Sequence, residues 1–186
     1  MLYVNMREKN VTVLGPYKRY GLWVSGCNRK CPGCISPESH DMKSGKAMNV
    51  NALAWEIYAT DTEGITISGG EPFLQAEALT RLIRAVRKKR DVGVIIYTGF
   101  LLEELENTDD AKELLKECDL LIDGPYIKEL DDGKSLRGSS NQRVIPLTDR
   151  YLDKLHLYGQ EGREVQKPTH FGVELHYIGI PTDSKY

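Results

Sequence analysis

Apolar and polar positions follow two rhythms along this chain, one of period two or continuous and short, the other helical. "GLWVS" is a short β-rich run that ends at Gly26. In "VNALAWEIYAT" the residues Val50, Leu53, Ala54, Ile57 and Tyr58 recur at helical spacing. "GITIS", Gly64 to Ser68, predicts a brief buried strand stopped by Gly69 and Gly70. "LQAEALTRLIRAVRKKR" predicts an amphipathic helix with Leu79, Leu82, Ile83 and Val86 on one face. "VGVIIYT" predicts the next strand, "LLEELEN" and "DAKELLKEC" further helices, and "DLLID" a strand cut off by Gly124 and Pro125. "LDDGKSLRGSSNQR" is polar and turn-rich and reads as a loop, and "VIPL" as one more strand or edge. The tail after Arg150, with "FGVELHYIGI", is expected to add a strand.

Strands alternating with helices of this length argue for an α/β fold built on a parallel sheet. In such sheets the site lies beyond the carboxyl ends of the strands. Four segments fall there: the cysteine loop, "SGGEP", "YTGF" and "DGPY", each directly after an apolar run. The expectation is one composite site on one domain spanning 1–186, with a core of about 15–146 and a C-terminal extension over 147–186. A chain of 186 residues is enough for one substantial core and too short for two comfortable ones. The formal net charge of −2 suggests neither nucleic acid nor a membrane surface as partner. No basic n-region with a long apolar run opens the sequence, and no apolar stretch has membrane-spanning length, so a cytoplasmic setting is expected.

That setting changes the reading of the cysteines, because a reducing compartment disfavours a disulfide frame. Cys27, Cys31 and Cys34 are spaced C-x3-C-x2-C. Positions i, i+4 and i+7 share a helical face, but Pro32 and Gly33 inside the run favour a loop that wraps its thiolates round one centre. A structural zinc needs a fourth ligand, for which His40 is the nearby candidate. A [4Fe–4S] cluster normally takes four thiolates. Held by three, it keeps one iron open to a small molecule. Cys118, at the end of a helix, reads as a packing thiol. The other histidines, His156, His170 and His176, are scattered and suggest no ligand set.

The other strand ends each have a plain structural reading beside a chemical one. In "SGGEP", Gly69 and Gly70 suit a tight strand-to-helix turn with Pro72 starting the helix. They equally let backbone carbonyls approach a ligand, with Glu71 as an anionic partner for an ammonium group. Thr98 can touch ligand or cap the following helix. Asp123 directs a carboxylate at the same mouth or forms the turn before Gly124 and Pro125. The basic run ending at Arg90 reads as a solvated helix terminus.

The C-x3-C-x2-C spacing of Cys27, Cys31 and Cys34, followed downstream by a strand ending in "GGE", resembles the radical S-adenosylmethionine enzymes. The resemblance implies a [4Fe–4S] cluster on those three cysteines whose open iron chelates the methionine moiety of S-adenosylmethionine. One electron then breaks the sulfonium bond and releases a 5′-deoxyadenosyl radical. It further implies that Gly33, Cys34, Ile35, Gly69, Gly70, Glu71, Thr98 and Asp123 meet the cofactor. Ile35 stands where relatives usually carry an aromatic residue beside adenine, which leaves apolar contact.

"GPYKR" resembles the "GPGxR" element of glycyl radical enzyme activases, with Arg19 matching the arginine, which either binds ligand or braces the cluster loop. "CPGCISPESHD" and "LIDGPYIKELDDGKSLRGSSNQRVI" resemble the activating proteins of anaerobic ribonucleotide reductases. This likeness runs from about Gly15 to Val144 and implies a partial, TIM-like (β/α) barrel. The implied reaction removes hydrogen from a backbone glycine of a glycyl radical enzyme, with a flavodoxin or ferredoxin as electron donor. Asn141 and Arg143 are expected to stitch the loop to the barrel. The chain departs from the pattern at Leu14, Tyr17 and Pro125; relatives that activate pyruvate formate-lyase carry lysine where Pro125 stands. Two other enzymes are weighed: an activase of the pyruvate formate-lyase type, and a small-molecule catalyst of the deazapurine synthase type. A zinc-stabilised binding module on Cys27, Cys31, Cys34 and His40 is the non-enzymatic alternative.

Overall fold

The computed structural model describes residues 1–167 and 178–180. Seven strands form one mixed sheet: β1 (Leu2–Val11), β2 (Arg19–Val24), β3 (Lys46–Met48), β4 (Gly64–Gly69), β5 (Gly93–Tyr97), β6 (Leu120–Asp123) and β7 (Arg143–Pro146). Their order is β3-β1-β2-β4-β5-β6-β7. The central four, β2, β4, β5 and β6, are parallel, and β1, β3 and β7 pair antiparallel at the flanks.

Among the described residues, four α-helices supply the crossovers and turns: α1 (Val50–Tyr58), α2 (Ala76–Arg87), α3 (Leu102–Leu105) and α4 (Asp109–Lys116). The side chain of Asn49 caps α1 by accepting from the backbone of Asn51 and Ala52. On α2, Leu79, Leu82, Ile83 and Val86 are fully buried, as their spacing predicts. They meet Tyr20, Leu22, Ile65, Ile67, Val94 and Ile96, the residues that alternate onto the same face of the sheet. Burial of each large aliphatic chain there contributes about 1.5–3 kcal/mol. The opposite face carries a smaller cluster of Ile95, Leu120, Ile122 and Tyr151.

Three features depart from the sequence reading. The ten-residue β1, absent from the predicted elements, covers the edge of β2 with two register irregularities. The basic end of α2 is paired as well as solvated: Arg84 and Arg87 both reach Glu117 of the turn after α4, Arg84 also reaches Glu113, and Arg87 reaches Asp119. The segment from Asp149 to Leu157, for which the sequence gives no element, forms 3-10 turns that fold Tyr151 onto the smaller apolar cluster. Beyond it Gln166 and Ile178 form an isolated antiparallel bridge. Residues 168–177, most of "FGVELHYIGI" together with His170 and His176, lie outside the described residues.

Candidate metallocofactor site

Parallel register gathers the strand ends. Val24 pairs with Gly69, Ile67 with Ile96, and Tyr97 with Ile122, so the segments after β2, β4, β5 and β6 emerge side by side. The cysteine loop, "SGGEP", "YTGF" and "DGPY" therefore meet at one end of the sheet. The sequence reading of a composite mouth holds in its topology.

The loop after β2 is a loop and no helix. Its base is fastened by Gly26 N–H donating to Ser39 O at 2.8 Å and Cys27 N–H donating to His40 O at 3.0 Å. Cys27, Cys31 and Cys34 are reduced and half-buried, while Gly33 and Ile35 are exposed, Ile35 by 54 %. Burial pushes the Cys34 thiol up, and negative charge on Cys27 and Cys31 adds to the shift against the opposing Ser36 backbone hydrogen bond. A cationic centre beside Cys34 would offset that burial and favour its thiolate. Among the described residues, no three His, Cys, Asp or Glu side chains are gathered closely enough to hold a metal ion, the three cysteines and His40 included. A donor set of three thiols suits an iron–sulfur cluster. Cys118 lies 1 % exposed with its thiol against Leu120 O, and burial raises its pKa; it is a packing residue.

The two glycines of "SGGEP" are there for close approach. A Cβ on Gly69, whose φ is +107°, would meet backbone of Val24 at 2.5 Å, and one on Gly70 would collide with Gly26 O. Gly70 N–H donates to Val24 O and Glu71 N–H to Gly26 O, both at 2.7 Å, which binds the end of β4 to the root of the cysteine loop. Glu71 is 1 % exposed. Its Oε1 accepts from Thr98 Oγ1 at 2.8 Å and Phe73 N–H at 3.0 Å, and its Oε2 accepts from Gly99 N–H at 2.9 Å. Burial raises its pKa against those donors and the nearby charge of Arg29. Thr98 is 4 % exposed and accepts in turn from Phe100 N–H, so it braces the turn after β5.

Asp123 has a matching role on the neighbouring strand. It is fully buried, its Oδ2 accepting from Leu102 N–H at the start of α3. The guanidinium of Arg143 forks onto both of its oxygens and onto Glu103. Asn141 donates to Pro125 O, so this part of the 130–143 loop is stitched down as the sequence suggests. A cleft of about 350 Å³ opens beside Cys31, with Arg29 and Pro32 on one wall and Pro125, Tyr126 and Ile127 on the other.

Arg19 is placed elsewhere. It begins β2 and is fully buried at the far end of the parallel strands, bonded to Thr66, Glu63, Tyr151, Ile65 O and Gly93 O. Two residues that the sequence reading passes over help build the mouth. Gln75 ties Tyr3 of β1 to Ser25 O through three hydrogen bonds. Arg29 joins the cysteine loop to the turn after β5. Neither has a local signal, since its partners lie far away in sequence.

A model of the family described as "4Fe-4S single cluster domain" matches residues 13–145. Three proteins bearing the name anaerobic ribonucleoside-triphosphate reductase-activating protein show the range of similarity. The one from Enterobacteria phage T4 is 32 % identical over 143 residues, 74 % of this chain and 89 % of its own. The one from Vibrio cholerae is 35 % identical over 146 residues, 73 % of this chain and 92 % of its own. The one from Escherichia coli is 33 % identical over 144 residues, 71 % of this chain and 90 % of its own. Cysteine loop, strand-end turns and these relatives agree: the chain belongs to the 4Fe–4S family of anaerobic ribonucleoside-triphosphate reductase-activating proteins.

Proposed function

We propose that this protein is a radical S-adenosylmethionine activase whose substrate is a backbone glycine of an anaerobic ribonucleoside-triphosphate reductase. The observation that carries the reading is the placement of Cys27, Cys31 and Cys34 in one half-buried loop at the strand-end mouth. The names of its relatives support the choice of partner. Bound to these thiolates, a [4Fe–4S] cluster with one open iron supplies a coordination site and an electron for reductive cleavage of S-adenosylmethionine to methionine and a 5′-deoxyadenosyl radical. The electron comes from a flavodoxin- or ferredoxin-type donor. No helix among the described residues is long and apolar enough to cross a membrane. The mixed sheet, with its four parallel strands and helical crossovers, is read as an incomplete (β/α) barrel with one side left open.

The chain's own residues divide the work. Exposed Ile35 offers apolar contact to the adenine, and Gly33, Cys34, Gly69 and Gly70 present backbone edges without bulk. Glu71 and Asp123 each accept three hydrogen bonds in the protein, out of a carboxylate's roughly four lone-pair sites. Both are buried, so they hold the mouth's walls and act on the cofactor through the backbone they position, and Thr98 fixes Glu71 in that pose. The cleft beside Cys31 admits an extended segment of the partner, and a glycine there brings its Cα–H in without a side chain in the way.

The test is anaerobic. Reduced, iron-loaded protein with S-adenosylmethionine should form 5′-deoxyadenosine, and addition of the reductase should give a glycyl radical signal by electron paramagnetic resonance. Absence of 5′-deoxyadenosine from fully loaded, reduced protein would overturn the reading. A radical on a pyruvate formate-lyase and none on the reductase would move the partner assignment.

A further inference from the structure

The segment from Asn28 to Gly33 is held to the body of the protein in an unusual way. Among the described residues, its backbone forms no hydrogen bond to any other segment; Cys31 O accepts only from Cys34 N–H inside the loop. Lys30 sits at φ +47°, a conformation that costs a non-glycine residue energy unless its neighbours hold it. Among the described residues, one side chain of this segment makes an ion pair or hydrogen bond, that of Arg29. Its guanidinium lies 4.8 Å from the centre of the Phe100 ring, and its Nη1 donates to Glu104 Oε1 at 3.3 Å. Its aliphatic stem lies against Gly99, where an added Cβ would come within 3.1 Å of it.

These contacts close a circuit. Gly26 O, at the loop's root, accepts from Glu71 N–H, and the Glu71 carboxylate accepts from Thr98 and Gly99. Phe100, next in the chain, then receives Arg29 from the loop's far side. The ends of β2, β4 and β5 are thereby tied around the cysteine loop at two places, one through backbone and one through the Arg29 side chain.

From this geometry we propose that Arg29 is a positioning residue: its stacking on Phe100 and pairing with Glu104 hold the cysteine loop in a ligand-ready shape before any cluster is present. The inference rests on the reading of Cys27, Cys31 and Cys34 as cluster ligands, but it concerns the apoprotein's loop and can fail separately. A planar guanidinium can stack and pair at once, whereas a lysine ammonium keeps charge and loses the flat face.

The experiment compares wild type, Arg29→Ala, Arg29→Lys and Phe100→Leu as apoprotein under reducing, metal-free conditions. The readout is the alkylation rate of Cys27 and Cys31 by iodoacetamide, followed by mass spectrometry. Loss of one stacking and one exposed ionic contact should raise the rate about fivefold in Arg29→Ala, with Arg29→Lys and Phe100→Leu in between. The same order should appear in the rate at which a ferrous chelator strips iron from the reconstituted proteins, while midpoints of thermal unfolding of the apoproteins stay close together. Equal alkylation rates in all four proteins would overturn the proposal. So would a rise in Arg29→Ala that Phe100→Leu does not share. If wild type takes up no [4Fe–4S] cluster while Arg29→Ala still alkylates faster, the ligand reading fails and the tether stands.

Discussion

Arg19→Met separates a bracing arginine from a ligand-binding one. Arg19 starts β2 and the cysteine loop follows its last residue, Val24, so about 17 Å of strand lies between them. The guanidinium is fully buried and donates to Thr66 Oγ1 at 2.7 Å, Tyr151 Oη at 2.7 Å, Ile65 O at 2.8 Å and Gly93 O at 3.1 Å, besides pairing with Glu63. Methionine fills much of the volume and supplies no donor. Two carbonyls and two hydroxyls then lose a buried donor, at up to about 1–3 kcal/mol each, while Glu63 keeps Tyr151 and Arg150. Breaking a buried charged network from one side costs about 3–5 kcal/mol, so a net loss of about 4 kcal/mol is expected. In a chain of this size that lowers the melting temperature by roughly 10 °C. The assay is thermal and urea unfolding of the apoprotein, with iron per chain measured after reconstitution well below the melting point. Stability should fall and iron content should hold. Wild-type stability with lost iron would show that Arg19 serves the cluster and refute the assignment.

Further outcomes follow from the site itself. Gly70→Ala drives a methyl against Gly26 O, and the cysteine loop should lose its seat: iron retention against a chelator is expected to fall at least threefold, while Gly162→Ala, with open space around it but positive φ, leaves retention unchanged. Arg143→Leu leaves Asp123 buried and short of two donors, and should lower the midpoint of apoprotein unfolding in urea, an unchanged midpoint contradicting the bracing role. Glu103 is held down to about 2 by the Arg143 guanidinium. A lowered folded-state pKa means the pairing stabilises above the ordinary glutamate range and fades as pH falls towards about 2. The melting-temperature gap between wild type and Glu103→Gln should therefore be present at pH 6 and close on acidification through that window; a gap independent of pH would contradict it.

The parts of this molecule that announce themselves in sequence are those whose cause is local. Leu79, Leu82, Ile83 and Val86 share a helical face because of spacing alone, and all four are buried. The three thiols suggest a metallocofactor by their separation, and the proposed function rests on that spacing. β1 escapes such reading because its inward positions run Leu2, Val4 and then Glu8, a charged residue only 1 % exposed, and register slips interrupt the alternation. Glu71 shows the limit most clearly. "GGE" reads naturally as a ligand cradle, yet what the carboxylate touches is set by Thr98 and Gly99, brought alongside by the pairing of β4 with β5. Tyr151 meets Arg19 from 132 positions away, a contact no pattern in either segment foretells. Periodicity carried the elements. The division between walls and ligands required the packed fold.

Iron and acid-labile sulfide per chain, measured after anaerobic reconstitution of wild type and of Cys27→Ala, Cys31→Ala, Cys34→Ala and Cys118→Ala, test the central claim most directly. Wild type and Cys118→Ala should each hold roughly four of both, and each of the three loop variants should fall well short. A wild type that takes up zinc in place of iron, or a loop variant with a full complement, would contradict it.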